Sequence, residues 1–222
     1  MFSRSGGRKL ATHAKEPGVR TRAYQSALVH HVLTLAVVLG LWLLGDRELG
    51  ALGLTLPTGW RLALSVALAT AVIVFHLSQL RTVRRSASAR EQARDRILAA
   101  GDTQALMPRS DDEWRWFVAG CHGVGVGEEV AYRGFLLWYG QAVIGVWPAI
   151  VVSVVAFGLA HVYQGWRGVL STGAAGALMT AVYLVTASLA APIVMHVAID
   201  IINGALARHA LADASPASSQ TP

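Results

Sequence analysis

Apolar positions in this chain come in long unbroken runs, separated by short polar or basic stretches, rather than at the every-third-or-fourth spacing of a helix with one buried face. Runs of about twenty apolar residues suit helices that cross a bilayer. The pattern predicts six: about Tyr24–Leu44, Trp60–Leu80, Trp114–Tyr139, Val146–Val162, Val169–Leu189 and Ala191–Leu206. The fold class expected is all-α, a polytopic transmembrane helical bundle of about six spans. GDRELGALGLTLPTG reads as a short external connection and YQGWRG as a loop. RTVRRSASAREQARDR, with six arginines and two acids, reads as a helix on the cytoplasmic surface, continuing to about Leu106. Pro108 and the acids at 111–113 reset the chain, with Asp111 or Asp112 as the expected cap of the next helix.

These runs divide the chain into a basic cytoplasmic arm at 1–23, two N-terminal transmembrane helices at 24–80 and an arginine-rich cytoplasmic connection at 81–112. A second group of apolar helices at 113–208 and a low-complexity, disordered tail at 209–222 complete it. Arginine crowds ahead of the first and third spans, which places both termini in the cytoplasm by the positive-inside rule. The arm carries no cleavable signal. Gly173, Ala177 and Ala181 form a small-residue ridge at i, i+4, i+8, a feature of close helix packing in lipid.

Composition supports the membrane reading. Of 222 residues 54% are hydrophobic and 14% charged, against about 25% charged in soluble domains. The net charge of +6 belongs to the cytoplasmic connections, so no nucleic-acid partner is expected. The expected partners are the lipid bilayer and a membrane-associated protein or peptide substrate. The single Cys121 cannot form an intrachain disulfide. Richness in Ala, Arg, Gly and Val with only two Lys suggests a high-GC bacterial genome and hence the inner (plasma) membrane.

Only three acids fall inside predicted spans: Glu128, Glu129 and Asp200. Each costs roughly 2.5–3.5 kcal/mol at a helix centre even on the lenient insertion scale, so such residues face an interior cavity and have partners. Glu129 and Arg133 stand four apart and share a helix face, the spacing of a structural pair. Glu128 points about 100° away and has no sequence-local cation, which suits an acid–base role. His161 and the pair His196 and Asp200 add further groups able to bind, polarise or deprotonate a water. His30, His31, His76 and His122 lack such a partner within their spans and read as ordinary interhelical hydrogen bonders. Gly123, Gly125 and Gly127 have the wrong spacing for a dinucleotide loop. They let a neighbouring helix or a substrate backbone approach Glu128. The spans put Glu128 near mid-membrane, His161 near the cytoplasmic end and His196 nearer the external end.

Three motifs in order, Glu128-Glu129-Val-Ala-Tyr-Arg133, Phe157-Gly-Leu-Ala-His161 and His196-Val-Ala-Ile-Asp200, each inside a span, resemble the pattern of the CAAX protease and bacteriocin-processing family, also called the Abi family. The resemblance covers about residues 114–206. It implies an intramembrane endopeptidase of glutamic type on a four-helix core. By that resemblance Glu128 and His161 would activate a water, and His196 with the residue at 200 would stabilise the tetrahedral oxyanion. Glu129, held by Arg133, would shape the site, with Phe157 in support. No cofactor and no metal are expected. Many members carry Asn where this chain has Asp200, and an ionised Asp cannot donate a hydrogen bond. Asp200 is then protonated, or orients His196, or binds a metal. Two His and a Glu are plausible zinc ligands, so a metal-dependent protease is the runner-up. A non-proteolytic immunity or scaffolding protein of the same fold, or an ion pathway, are the readings from other classes. Candidate substrates include bacterial peptides, lipoprotein-like precursors and C-terminal sorting or anchor segments.

Overall fold

The computed structural model describes residues 18–99 and 101–212, and every regular element among them is helical. The arm up to residue 17 and the tail from 213 lie outside the described residues. In chain order the helices are α1 (Val19–Leu44), α2 (Gly59–Arg85), α3 (Ala87–Ala99), α4 (Asp111–Glu129), α5 (Leu137–Ile144), α6 (Val146–Ala160), α7 (Gly165–Thr186) and α8 (Ala190–Ala212). A π-helical stretch, Val130–Leu136, joins α4 to α5 without interrupting the rod. The chain is an all-helical membrane bundle. Among the described residues four helices are long and apolar enough to cross a bilayer: α1, α2, Val162–Thr186 and α8. α6 is apolar but only 15 residues long, about 22 Å at 1.5 Å per residue, short of a hydrocarbon core about 30 Å thick. The third expected span is the α4–π–α5 rod, whose first turn carries Asp111, Asp112 and Glu113.

Local chemistry sets the helix ends. Ser110, rather than either aspartate, caps α4: its Oγ accepts the Glu113 N–H at 3.2 Å, and the Glu113 carboxylate accepts the Arg109 N–H at 2.7 Å. Serine bonds a backbone N–H two to three residues on as well as aspartate does, and the three acids of the first turn add negative charge at the positive end of the helix dipole. Ser86 is extended, which ends α2, and its Oγ accepts the Ala89 N–H, which starts α3. The arginine-rich helix thus stops at Ala99 and a 3₁₀ turn at Gly101–Leu106 replaces its expected end. Pro148 and Pro192 sit in the first turns of α6 and α8, where a missing N–H breaks nothing. The loop expected at YQGWRG shrinks to a 3₁₀ turn at Val162–Gln164, and α7 begins at Gly165.

α1 starts at Val19, so the expected arm gives up its last residues to a helix. Arg20 is buried, donating from Nε to the Ala105 carbonyl at 3.0 Å and pairing with Glu113 at 3.3 Å. The Tyr24 hydroxyl donates to the Leu106 carbonyl at 2.6 Å. These bonds tie α1 to the start of α4. At the opposite end of the bundle, the connection between α1 and α2 folds inward. Leu52 packs with Trp42, Val130 and Leu189, Gly53 O accepts the Leu189 N–H and Ser188 donates to the Thr55 carbonyl at 2.6 Å.

α1 packs along α4, α2 against α8 and α7, and α6 between α5 and α7. Glycines set these approaches. A Cβ at Gly123 would strike Leu28 and one at Gly125 would strike Val197, so the glycine run does admit neighbouring helices. Of the ridge expected on α7, only Gly173 packs against a neighbouring helix. Gly173 meets Gly158 of α6, but Ala177 and Ala181 are exposed. The face of α7 turned to the core carries Gly176, Met179 and Thr180 instead.

A Cβ at Gly158 would lie 3.0 Å from the Val169 carbonyl oxygen and 3.3 Å from Gly173 Cα, both backbone atoms that cannot step aside. Gly158→Ala is expected to cost about 1–3 kcal/mol, while Gly40→Ala, with nothing within 4 Å, is expected to be neutral or stabilising by about 0.5–1 kcal/mol. Thermal unfolding of both variants in detergent checks the contrast.

Candidate active site

The π-helical stretch begins one residue after the paired acids. It places Glu129 and Arg133 on the side of the rod facing α7 and α8, and both are fully buried. Arg133 Nη1 donates to Glu129 Oε1 at 3.0 Å, Nη2 to the Gly176 carbonyl at 3.1 Å and Nε to Thr180 Oγ1 at 3.4 Å. Thr180 in turn donates its own hydroxyl proton to Gly176 O at 2.8 Å. The guanidinium lies 4.1 Å from the centre of the Phe157 ring, a cation–π contact in a dry site. Gly176 is required here, since a Cβ would reach Phe157 at 2.8 Å and Arg133 Nη2 at 3.0 Å.

Glu129 does more than hold Arg133. Its Oε1 also accepts from His196 Nδ1 at 2.8 Å. His161 Nδ1 donates to the Phe157 carbonyl at 2.8 Å. A carboxylate and a carbonyl can only accept, so both rings carry a proton on Nδ1 and turn Nε2 toward the same place. That place is Glu128 Oε2, 3.9 Å from each Nε2. Phe157 sits behind both imidazoles, with ring centres 4.9 Å from His161 and 5.9 Å from His196. Asp200 Oδ2 lies 3.7 Å from His196 Nε2.

The structure thus brings Glu128, His161, His196 and Asp200 together, over the Glu129–Arg133 pair and Phe157. The spread in depth expected from the hydropathy runs does not occur. α6 ends inside the bundle after 15 residues, which carries His161 to the level of Glu128. Orientation of His196 falls to Glu129 at Nδ1, so Asp200, on the Nε2 side, is not the group that sets the ring.

One residue was missed. His31 of α1 turns its Nε2 to Glu128 Oε1 at 3.6 Å, with its Nδ1 donating to the Ala27 carbonyl at 2.7 Å. Spacing within one helix could not reveal a partner on another. The only signal was a pair of histidines inside an apolar run. Glu128, without a cation nearby in sequence, is met by three imidazoles from three other helices.

These groups line a cavity of about 1040 Å³, with Val72 and Phe75 of α2 and Leu178 of α7 on its apolar side and Tyr163, Gln164 and Asn203 toward the Tyr24 end. Glu128 Oε2 is buried and makes no hydrogen bond. Among the described residues no three His, Cys, Asp or Glu side chains are grouped as a metal cage. The 3.6–3.9 Å gaps around Glu128 are those of groups facing a shared space.

The fold and site define a helical membrane protein whose carboxylates and imidazoles gather around one cavity. Residues 110–202 match the family model described as Type II CAAX prenyl endopeptidase Rce1-like. The match spans α4 to most of α8, holds all three motifs and leaves out α1 and α2. It points to CAAX-type intramembrane protease activity. No curated protein and no solved structure matched the chain.

Removing the guanidinium would leave the fully buried Glu129 charge without its cation. Arg133→Met is expected to destabilise the protein by about 3–5 kcal/mol. Adding Glu129→Gln in the same chain should recover part of that loss, and thermal unfolding in lipid nanodiscs measures both.

Proposed function

We propose that the protein is an intramembrane endopeptidase in which Glu128, with His161, activates a water against the peptide bond of a membrane-associated substrate. The observation that carries this reading is the unbonded Glu128 Oε2 facing His161 and His196 Nε2 at 3.9 Å inside the cavity. A water drawn in between these three atoms would come within hydrogen-bond reach of all of them, the geometric requirement for general-base catalysis. Its proton passes to Glu128 as its oxygen attacks the carbonyl carbon. The resulting oxyanion takes hydrogen bonds from His196 Nε2–H, as imidazolium, and from Asp200 in its protonated form. The proton then goes to the amine as the C–N bond breaks.

The apolar wall and the membrane setting suit a peptide held at the bilayer by an anchor. The matched family's description names a prenyl endopeptidase. A C-terminal sorting or anchor segment of a bacterial membrane protein is the substrate class we favour, at an inner-membrane enzyme with both termini cytoplasmic.

Mapping new protein termini in cells carrying parent or Glu128→Gln at matched levels tests the reading. Specific termini are expected to vanish with Glu128→Gln. A Glu128→Gln chain that leaves every terminus unchanged, yet rescues the phenotype of the gene deletion, would hand the site to a scaffolding or immunity role.

The metal-dependent version rests on one observation. The imidazoles of His161 and His196 have Nδ1 bonded to an acceptor and Nε2 free, as metal-ligating histidines do. Cleavage of the mapped segment by purified protein is expected to survive 1,10-phenanthroline. Loss of cleavage that zinc restores would establish the metal-dependent version.

A further inference from the structure

Catalysis as proposed uses one oxygen of Glu128. The other faces α1, a helix outside the family match. There the His31 ring is fixed at one end by its Nδ1 bond to Ala27 O at 2.7 Å and presents Nε2 to Glu128 Oε1 at 3.6 Å. Its side chain is 14% exposed, so water does not screen the pair as it would at a surface. Gly127, next to the acid in sequence, makes this approach possible. A Cβ there would stand 3.0 Å from His31 Cβ and 3.2 Å from its Cδ2, and 3.4 Å from its carbonyl oxygen. Two further contacts hold α1 at this register: Gly123 against Leu28, and the Arg20 and Tyr24 bonds at its start.

A carboxylate joined to its helix by two methylenes has free torsions, and Glu128 Oε2 makes no hydrogen bond that would fix them. We infer that His31 is a positioning residue of the active site, contributed by α1. As an imidazolium, with Nδ1–H given to Ala27 O, it pairs with Glu128 Oε1 through Nε2–H, so that Oε2 alone faces His161 and His196. This rests on the protease reading and adds a residue to it. It also gives α1 a part in the site, since without that helix the base would lack the group that aims it.

The test uses full-length protein in liposomes and, as substrate, a peptide spanning a terminus lost in Glu128→Gln cells. His31→Ala is expected to lower kcat about 10²-fold, the cost of misplacing a reacting group by about 1 Å, with KM within about twofold of the parent. His31→Gln, whose amide can donate from a similar position, is expected to recover at least tenfold of the loss. Gly127→Ala should lower kcat in the same way, and it should add little when His31 is already Ala, because the two act through one contact. His122→Ala, exposed on the lipid side of α4, serves as the control with unchanged rates. Folding of each variant is read from thermal unfolding in the same lipid.

If Glu128→Gln removes no terminus, the protease reading fails and this inference with it. If Glu128→Gln abolishes cleavage but folded His31→Ala retains the parent kcat, only the role of His31 is overturned. A raised KM at unchanged kcat would also overturn it, making His31 a substrate contact. So would a folded His31→Gln as slow as His31→Ala.

Discussion

The site depends on a single buried charge pair. Glu129 and Arg133 are both fully inaccessible, and neither would be tolerated there alone. Desolvating two ions is rarely offset by their mutual attraction unless further hydrogen bonds complete the geometry. Here Arg133 donates to Gly176 O and Thr180 Oγ1, His196 donates to Glu129 Oε1, and the Phe157 face covers the guanidinium, while Glu129 Oε2 is buried without a hydrogen bond. Those partners come from three helices, Phe157 from α6, Gly176 and Thr180 from α7 and His196 from α8, so the pair joins all three to the rod that carries Glu128. An electrostatic need in a dry interior thereby becomes a positional constraint on every group of the site.

Helix length supplies the other constraint. A chain of six full-length spans would scatter its polar groups over the bilayer's thickness. α6 avoids this by stopping short, with His161 as the residue after its last turn. The π-helical stretch works in the same direction from the rod. Directly after the acids Gly134 comes against the Leu52 carbonyl, which packs the inward-folded connection against the π-helical stretch. Such irregular backbone is tolerated at membrane depth where it is buried in protein.

The motifs were legible in the sequence because their partners stand four apart on one helix. Glu129 with Arg133 and His196 with Asp200 follow from helical periodicity alone, and the all-helical membrane class follows from run length. What periodicity does not encode is contact between helices. His31 was passed over for that reason, and the tie between His196 and Glu129, 67 positions apart, was invisible for the same reason. Hydropathy located the apolar runs but not where a helix ends within the bilayer, so His161 was assigned the wrong depth. The small-residue ridge failed on α7 for a related cause. Ala177 and Ala181 are small, but a ridge packs only where a partner helix meets it, and the core-facing residue proved to be Gly176.

The two adjacent acids show how one rod can give neighbouring, identical side chains different work. Glu129 is enclosed by a guanidinium and an imidazole N–H, so its Oε1 is committed to structure. Glu128, rotated by about 100°, meets only ring nitrogens at 3.6–3.9 Å and open space. A carboxylate so placed has an oxygen left for chemistry. Asp200 completes the contrast. It approaches His196 from the Nε2 side, where an oxyanion would also lie, and an ionised carboxylate there would repel that charge. The arrangement is consistent as an oxyanion site only with a proton on Asp200, which then donates as the amide of an asparagine would. In the mechanism proposed, the same spot with the proton removed would repel the oxyanion, so that role for Asp200 requires its proton.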